Sequence, residues 1–221
     1  MAVITISRQY GSGGDDIAER ICEILAYRYF DKSLMADVAF EVGLSATEIV
    51  DFSEDQHRVR GFLERLFSRQ RVVAEARKWR EDTAGARIQE VIGLDEVQSI
   101  ALVRSIIRAA YKQGNVVIVG RGGQALLREE PGVLHVRIEA PLLARARHVQ
   151  DREQMSLEAA QKKIAEREAA AADYLKRFYG IDWLDPLLYH LVINTGKWDT
   201  EAAAQIIVNA LDYLPSAESS R

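Results

Sequence analysis

Twice in this chain a short β-branched run breaks into glycines and then into helical periodicity, and that pattern limits the fold more than any other feature. The first instance runs Val3-Ile4-Thr5-Ile6-Ser7-Arg8-Gln9-Tyr10-Gly11-Ser12-Gly13-Gly14-Asp15-Asp16. The second runs Val116-Val117-Ile118-Val119-Gly120-Arg121-Gly122-Gly123. Both read as strand, glycine turn, helix. Further short apolar runs at Val133 to Ile138 and Leu191 to Ile193, with Tyr29-Phe30 as a fifth, alternate with helical patterns. Strands buried on both faces and separated by helices predict an α/β fold with a parallel sheet. Ile17, Ile21, Ile24 and Leu25 recur at spacings of three and four, so the first helix turns one apolar stripe toward that sheet.

Glycines that expose backbone N–H groups at a helix N-terminus create a place for phosphate oxygens. The first turn lies in the frame G-x-x-x-x-G-K-[ST] of phosphate loops. In that frame Arg8 stands at the first glycine, Gly14 at the lysine and Asp16 near the Mg-binding hydroxyl. Arg8, Gly11, Ser12, Gly13 and Gly14 are therefore candidate phosphate ligands, Asp16 is a candidate Mg²⁺ ligand, and Arg8, Arg121 or Arg152 is the arginine that would compensate for the lysine. Asp15 and Asp16 also suit the positive end of a helix dipole, and capping alone accounts for them equally well. Arg121, at the C-terminal end of a strand where ligands of open α/β sheets gather, is a candidate anion grip. Asp31 and Lys32 fall at the same edge, with helix-start capping as the structural alternative for Asp31. Arginines of the late helical region, Arg145, Arg152 and Arg167 among them, are the type that closes over a transferring phosphoryl group; a solvated helix surface is the plainer reading for most charges there.

The 221 residues, 48% of them hydrophobic, suffice for one compact domain over 1–214 with a frayed tail at 215–221. A formal net charge of -4 gives no general pull toward a nucleic acid polymer or an anionic membrane, so phosphate recognition must be local. The single cysteine, Cys22, reads as a core residue, and the four histidines lack metal-ligand spacing. No run approaches the roughly 18 apolar residues of a membrane span. A cytoplasmic setting is expected, and no feature of the sequence determines an oligomeric state. Ser45 with Glu48 offers a capping box, and from there through Trp79 the charged sequence reads as helical, followed by a polar connector punctuated by Gly85 and Gly93. Val97, Ile100, Ala101, Val103, Ile107 and Ala110 then predict an amphipathic helix ending near Gly114, and Asp199 or Thr200 can cap a last helix.

Taken in order, these segments resemble the cytidylate kinase-like family of P-loop nucleoside monophosphate kinases. The resemblance rests on Ile4 to Gly14, Tyr29-Phe30-Asp31-Lys32, Val117 to Arg121, Val136-Arg137-Ile138-Glu139-Ala140-Pro141-Leu142 with Arg145, and Leu191 to Gly196. It implies a P-loop NTPase three-layer sandwich with a five-stranded parallel sheet, a helical monophosphate-binding insertion at about 36–93 and a helical lid at about 141–182. It also implies transfer of the ATP γ-phosphate, with Mg²⁺, to CMP or dCMP. By the same likeness Ser12, Gly13 and Gly14 would hold donor phosphates and Arg121 would contact the acceptor. Asp31 would lie near the acceptor or metal and Lys32 near the acceptor, and Arg145 and Arg152 would belong to the lid, with Arg167 a further lid candidate. The chain departs from the family at Asp15-Asp16, where a lysine, a hydroxyl or an arginine and glutamate are usual, and at the alanines after Glu168. Two alternatives stay open: a catalytically impaired nucleotide-binding module with a regulatory or interaction role, and a kinase for another small molecule.

Overall fold

The computed structural model describes residues 2–31, 34–35, 74–81, 87–94 and 96–214. The chain divides into two compact units. The larger one holds a five-stranded parallel sheet built from β1 (Val3–Arg8), β2 (Arg28–Tyr29), β5 (Val116–Val119), β6 (Val133–Glu139) and β7 (Leu191–Asn194) in the order β2-β5-β1-β6-β7. Four of its strands lie where the apolar runs predict them, and β2 falls one residue earlier than the expected Tyr29-Phe30. The two glycine-bearing strands β1 and β5 are neighbours, with Ile6 opposite Val119, and β1 pairs on its other side with β6, Arg8 opposite Ile138. The strand order reverses beside β1, which places the loop that follows this strand at the crevice where such sheets bind ligands.

Burial follows the sequence pattern. Ile4, Ile6, Val117, Val119, Leu134, Val136, Ile138 and Ile193 from the sheet pack with Ile17, Ala18 and Ile21 of α1 (Gly14–Leu25) and with Ala203, Ala204 and Ile207 of the last helix. Asp199 caps that last helix, its carboxylate accepting the Ala202 N–H at 2.8 Å. Cys22 packs at the edge of this core, and burial pushes its thiol up to about 11, which keeps it protonated and inert.

In the second unit, β3 (Ala74–Glu81) and β4 (Arg87–Leu94) pair antiparallel along their whole length, from Ala74 opposite Leu94 to Glu81 opposite Arg87. This corrects the helical reading through Trp79 and the connector reading around Gly93, which sits opposite Glu75 inside the ladder. Ala, Glu, Arg and Lys favour helix by only tenths of a kcal/mol per residue, roughly 0.7 at most. A ladder that satisfies backbone donors and acceptors along two strands outweighs that preference. Helix α2 (Glu96–Gln113) follows, with Ile100, Val103, Ile106, Ile107 and Ala110 buried on one face; Ala101, expected in that stripe, is exposed. The capping box at Ser45 and Glu48, the helical stretch over 36–73, Lys32 and the tail at 215–221 lie outside the described residues. Short helix α3 (Gly123–Leu126) follows β5 in the larger unit. After β6 the late helical region forms α4 (Leu142–Glu153) and α5 (Leu157–Tyr179), and after β7 comes α6 (Thr200–Ala210). Among the described residues no helix is long and apolar enough to cross a membrane.

Candidate phosphate-binding site

The loop between β1 and α1 is held by its carbonyl side. Gln9 O accepts the Ser12 N–H at 3.1 Å, closing a turn, while Tyr10 O accepts Arg145 Nη1 at 3.1 Å and Ser12 O accepts the Thr195 hydroxyl at 2.8 Å. Gln9 is fixed on both sides, its N–H donating to Ile138 O and its side-chain oxygen accepting the Ala140 N–H, each at 3.0 Å. Gly11 at φ 81° and Gly13 at φ 77° take the left-handed backbone such a turn needs. The Ile17 N–H to Gly13 O bond opens α1, so the N–H groups of Gly14, Asp15 and Asp16 precede the helical ladder and have no partner within it. Carbonyls turned to the scaffold and N–H groups gathered at a helix start make an anion-binding loop.

This loop floors a cavity of about 260 Å³ whose walls include Arg8 from β1, His148, Arg152 and Glu153 from α4, and Arg167 and Glu168 from α5. Three expected cations, Arg8, Arg152 and Arg167, thus meet at the glycine loop. Each has an internal neighbour. Arg8 Nε lies 3.4 Å from Asp15 Oδ1, which also accepts the Tyr29 hydroxyl at 3.3 Å. Arg152 lies 3.4 Å from Asp16, with His148 at 4.0 Å from the same carboxylate. Arg167 sits 5.7 Å from the Tyr10 ring centroid, and Lys163 sits 6.0 Å from it. The Tyr10 hydroxyl donates to Glu153 at 2.6 Å, and Lys163 pairs with the same carboxyl group. The Lys163 and Tyr10 hydrogen bonds together hold Glu153 below the usual carboxylate range, so it is ionised at neutral pH.

Arg145 does something else. Its guanidinium is buried and committed to protein: Nε donates to Ala140 O at 2.9 Å, and Nη1 to Tyr10 O and to Glu168 at 2.7 Å. It is absent from the cavity wall and clamps the loop to α4 and α5 from behind. Gly11 completes this clamp, since a Cβ there would stand 2.8 Å from Val149 and 2.9 Å from the Arg145 carbonyl.

Arg121 occupies the second glycine turn, between Gly120 at φ 67° and Gly122 at φ 72°, and is itself left-handed at φ 57°. Its carbonyl accepts the Tyr179 hydroxyl at 3.1 Å, and the Tyr179 ring lies so close to Gly122 that a Cβ would come within 2.4 Å. Arg121 is buried at the C-terminal end of β5 and does not line the cavity. In the second unit Asp31 accepts the Leu34 N–H at 2.8 Å through its side chain, the capping geometry given above as its structural alternative.

Two residues escaped the sequence reading. Tyr10 joins the loop to both helices, and Arg137 lies fully buried in β6. There Arg137 bonds Glu139 at 2.6 Å and Trp183 O at 2.9 Å, with its guanidinium carbon 4.5 Å from the Trp183 ring centroid. An arginine inside the run Val133 to Ile138 was the available signal, because burying a guanidinium demands partners.

Comparison with known proteins agrees with this architecture. The model of the cytidylate kinase-like family matches residues 3–197. A cytidylate kinase of Pyrococcus horikoshii is 41% identical over 105 residues, 48% of this chain and 54% of that one. A cytidylate kinase of Methanocaldococcus jannaschii is 41% identical over 106 residues, 47% of this chain and 59% of that one. The chain spans about half the length of the curated relatives it matches. A crystal structure of an uncharacterized protein from Eubacterium ventriosum superposes with a TM-score of 0.66 at 18% identity, covering 96% of this chain and 99% of that one, a likeness of fold.

Proposed function

The chain belongs to the cytidylate kinase-like family, and on that premise we propose an ATP- and Mg²⁺-dependent nucleotide kinase that passes the γ-phosphoryl group to a nucleoside monophosphate, CMP or dCMP foremost. The observation that carries this reading is the meeting of Arg8, Arg152 and Arg167 around the glycine loop. A transition state that gathers negative charge needs cations, and this chain has no lysine at position 14. Three arginines supply the missing charge.

In this mechanism the N–H groups of Gly13 and Gly14 and the start of α1 hold the donor phosphates; the Ser12 N–H, expected to join them, is committed to Gln9 O. The helices α4 and α5 act as the lid, the acceptor attacks in line, and positioning with charge neutralisation suffices without a covalent intermediate. Arg121, buried beyond the C-terminal end of β5 and outside the cavity wall, is assigned to the acceptor on the family resemblance alone. Bound Mg²⁺ would offset the charge of the donor phosphates. Asp16, in the first turn of α1 beside the glycine loop, is the carboxylate that would hold the ion. The cytidylate acceptor is favoured by the names of the matched relatives.

A second reading, nucleotide binding without turnover, draws on the pairing of Asp15 with Arg8 and of Asp16 with Arg152, which neutralises two of the three cations internally. Incubation with ATP, Mg²⁺ and a panel of nucleoside monophosphates separates the two. Diphosphate formation, fastest with CMP or dCMP and lowered in Arg121→Ala, is the expected result. A ligand-dependent thermal shift with no turnover on any acceptor would leave only the binding module.

A further inference from the structure

The positions of Arg8 and Gly14 carry an inference that deepens the phosphate-site reading and rests on it. In the phosphate-loop frame the residue at position 8 is ordinarily the glycine and the one at position 14 the lysine; here the small and the cationic residue are exchanged. The structure gives the steric reason. A Cβ on residue 14 would lie 2.7 Å from Arg8 Cβ and 3.0 Å from Arg8 Cγ. Those atoms sit at the root of the side chain, on a strand whose register with β5 and β6 is fixed on both sides, so rotation of the distal guanidinium does not relieve the overlap. Only one of the two positions accommodates a side chain.

Arg8 also ends where the exchange requires. It lies on the wall of the glycine-loop cavity, its side chain only 15% exposed, and its Nε stands 3.4 Å from Asp15 Oδ1 on the first turn of α1. The Tyr29 hydroxyl donates to that same oxygen, so Asp15 is held from β2 while it holds Arg8. We infer that Arg8 is the phosphate-binding cation of this loop, delivered from the strand instead of the helix, with Gly14 its steric counterpart and Asp15 the residue that positions it.

The test is a cycle of variants read by calorimetric affinity for inorganic triphosphate, with thermal melts to verify folding. Arg8→Met keeps an apolar stem over Gly14 and removes the charge; it should weaken triphosphate binding about tenfold or more, the scale of a lost charge-assisted contact. Gly14→Lys alone should lower both melting temperature and affinity, because it meets Arg8. The double variant Arg8→Gly with Gly14→Lys should bind within a few-fold of wild type and melt above Gly14→Lys. Wild-type affinity in Arg8→Met, wild-type stability and affinity in Gly14→Lys, or a double variant no better than Gly14→Lys would each overturn the exchange. If wild type itself fails to bind triphosphate, the phosphate-site reading falls first and takes the exchange with it, an outcome distinct from the other three.

Discussion

Replacing Arg145 with methionine separates a clamp from a phosphate contact. The side chain is 5% exposed and makes three bonds, to Ala140 O, Tyr10 O and Glu168. Methionine fills most of the volume and removes every donor. Breaking a buried ion pair costs about 3–5 kcal/mol, chiefly because the remaining charge is left without a partner. Glu168 is 26% exposed, so water recovers part of that; the loss of a charged donor at the Tyr10 and Ala140 carbonyls adds about 1 kcal/mol. A net cost near 3–4 kcal/mol corresponds to a fall of roughly 6–16 °C in melting temperature for a chain of this size. Differential scanning calorimetry reads it directly. Adding Glu168→Gln should restore about half of the loss, because the stranded carboxylate is gone. If Arg145→Met melts within about 2 °C of wild type while phosphoryl transfer collapses, Arg145 touches the reacting phosphates and the clamp is wrong.

Two further outcomes follow from the charges. Asp16 and Arg152 are 39% and 61% exposed, so their pair contributes about 0–1 kcal/mol and Asp16→Asn should leave the melting temperature nearly unchanged. It should tighten Mg²⁺-free triphosphate binding severalfold, since one negative charge leaves the loop; unchanged or weaker binding by calorimetry would contradict the placement of Arg152 at the phosphate site. His135 is buried beside His190, and burial first, the neighbouring histidine second, push it from 6.5 down to about 4. The unfolded chain therefore binds a proton that the folded chain refuses between those values. Stability should be full above about pH 6.5 and decline as pH falls toward 4, by at most about 3 kcal/mol. Urea titrations of wild type and His135→Gln across that range measure it, and equal pH slopes would remove His135 as the cause.

What the sequence disclosed and what it hid divide along physical lines. β1, β5 and β6 were readable because a strand buried on both faces must be a continuous β-branched run, and Val116 to Val119 is such a run bounded by turn residues. The hairpin of Ala74–Glu81 and Arg87–Leu94 was not, because its stability lies in pairing between segments that separately look helical or polar. The arginines show the same limit at the level of one side chain. Arg145 and Arg152 sit seven residues apart on α4, yet one turns into the protein and the other to the cavity. Helical spacing places both on similar faces; what distinguishes them is Glu168 on α5 and Asp16 on α1, and neither partner is legible from local pattern.

Asp15 and Asp16 also differ in space from what they suggest along the chain. Read along the chain they repel a polyphosphate, and a loop without a lysine looks doubly impaired. In space each lies beside an arginine from a different element at the same 3.4 Å separation, and the two pairs differ in the exposure of the arginine, 15% for Arg8 and 61% for Arg152. Asp15 is braced by Tyr29 and faces a largely buried Arg8, so it keeps its partner in place as a phosphate approaches. The Asp16 pair is open to water on both sides, where an ion pair is worth little, so Arg152 can be drawn to a more highly charged phosphate at small cost. On the proposed function the aspartates are the means by which arginines replace a lysine: one holds its cation fixed, the other exchanges it.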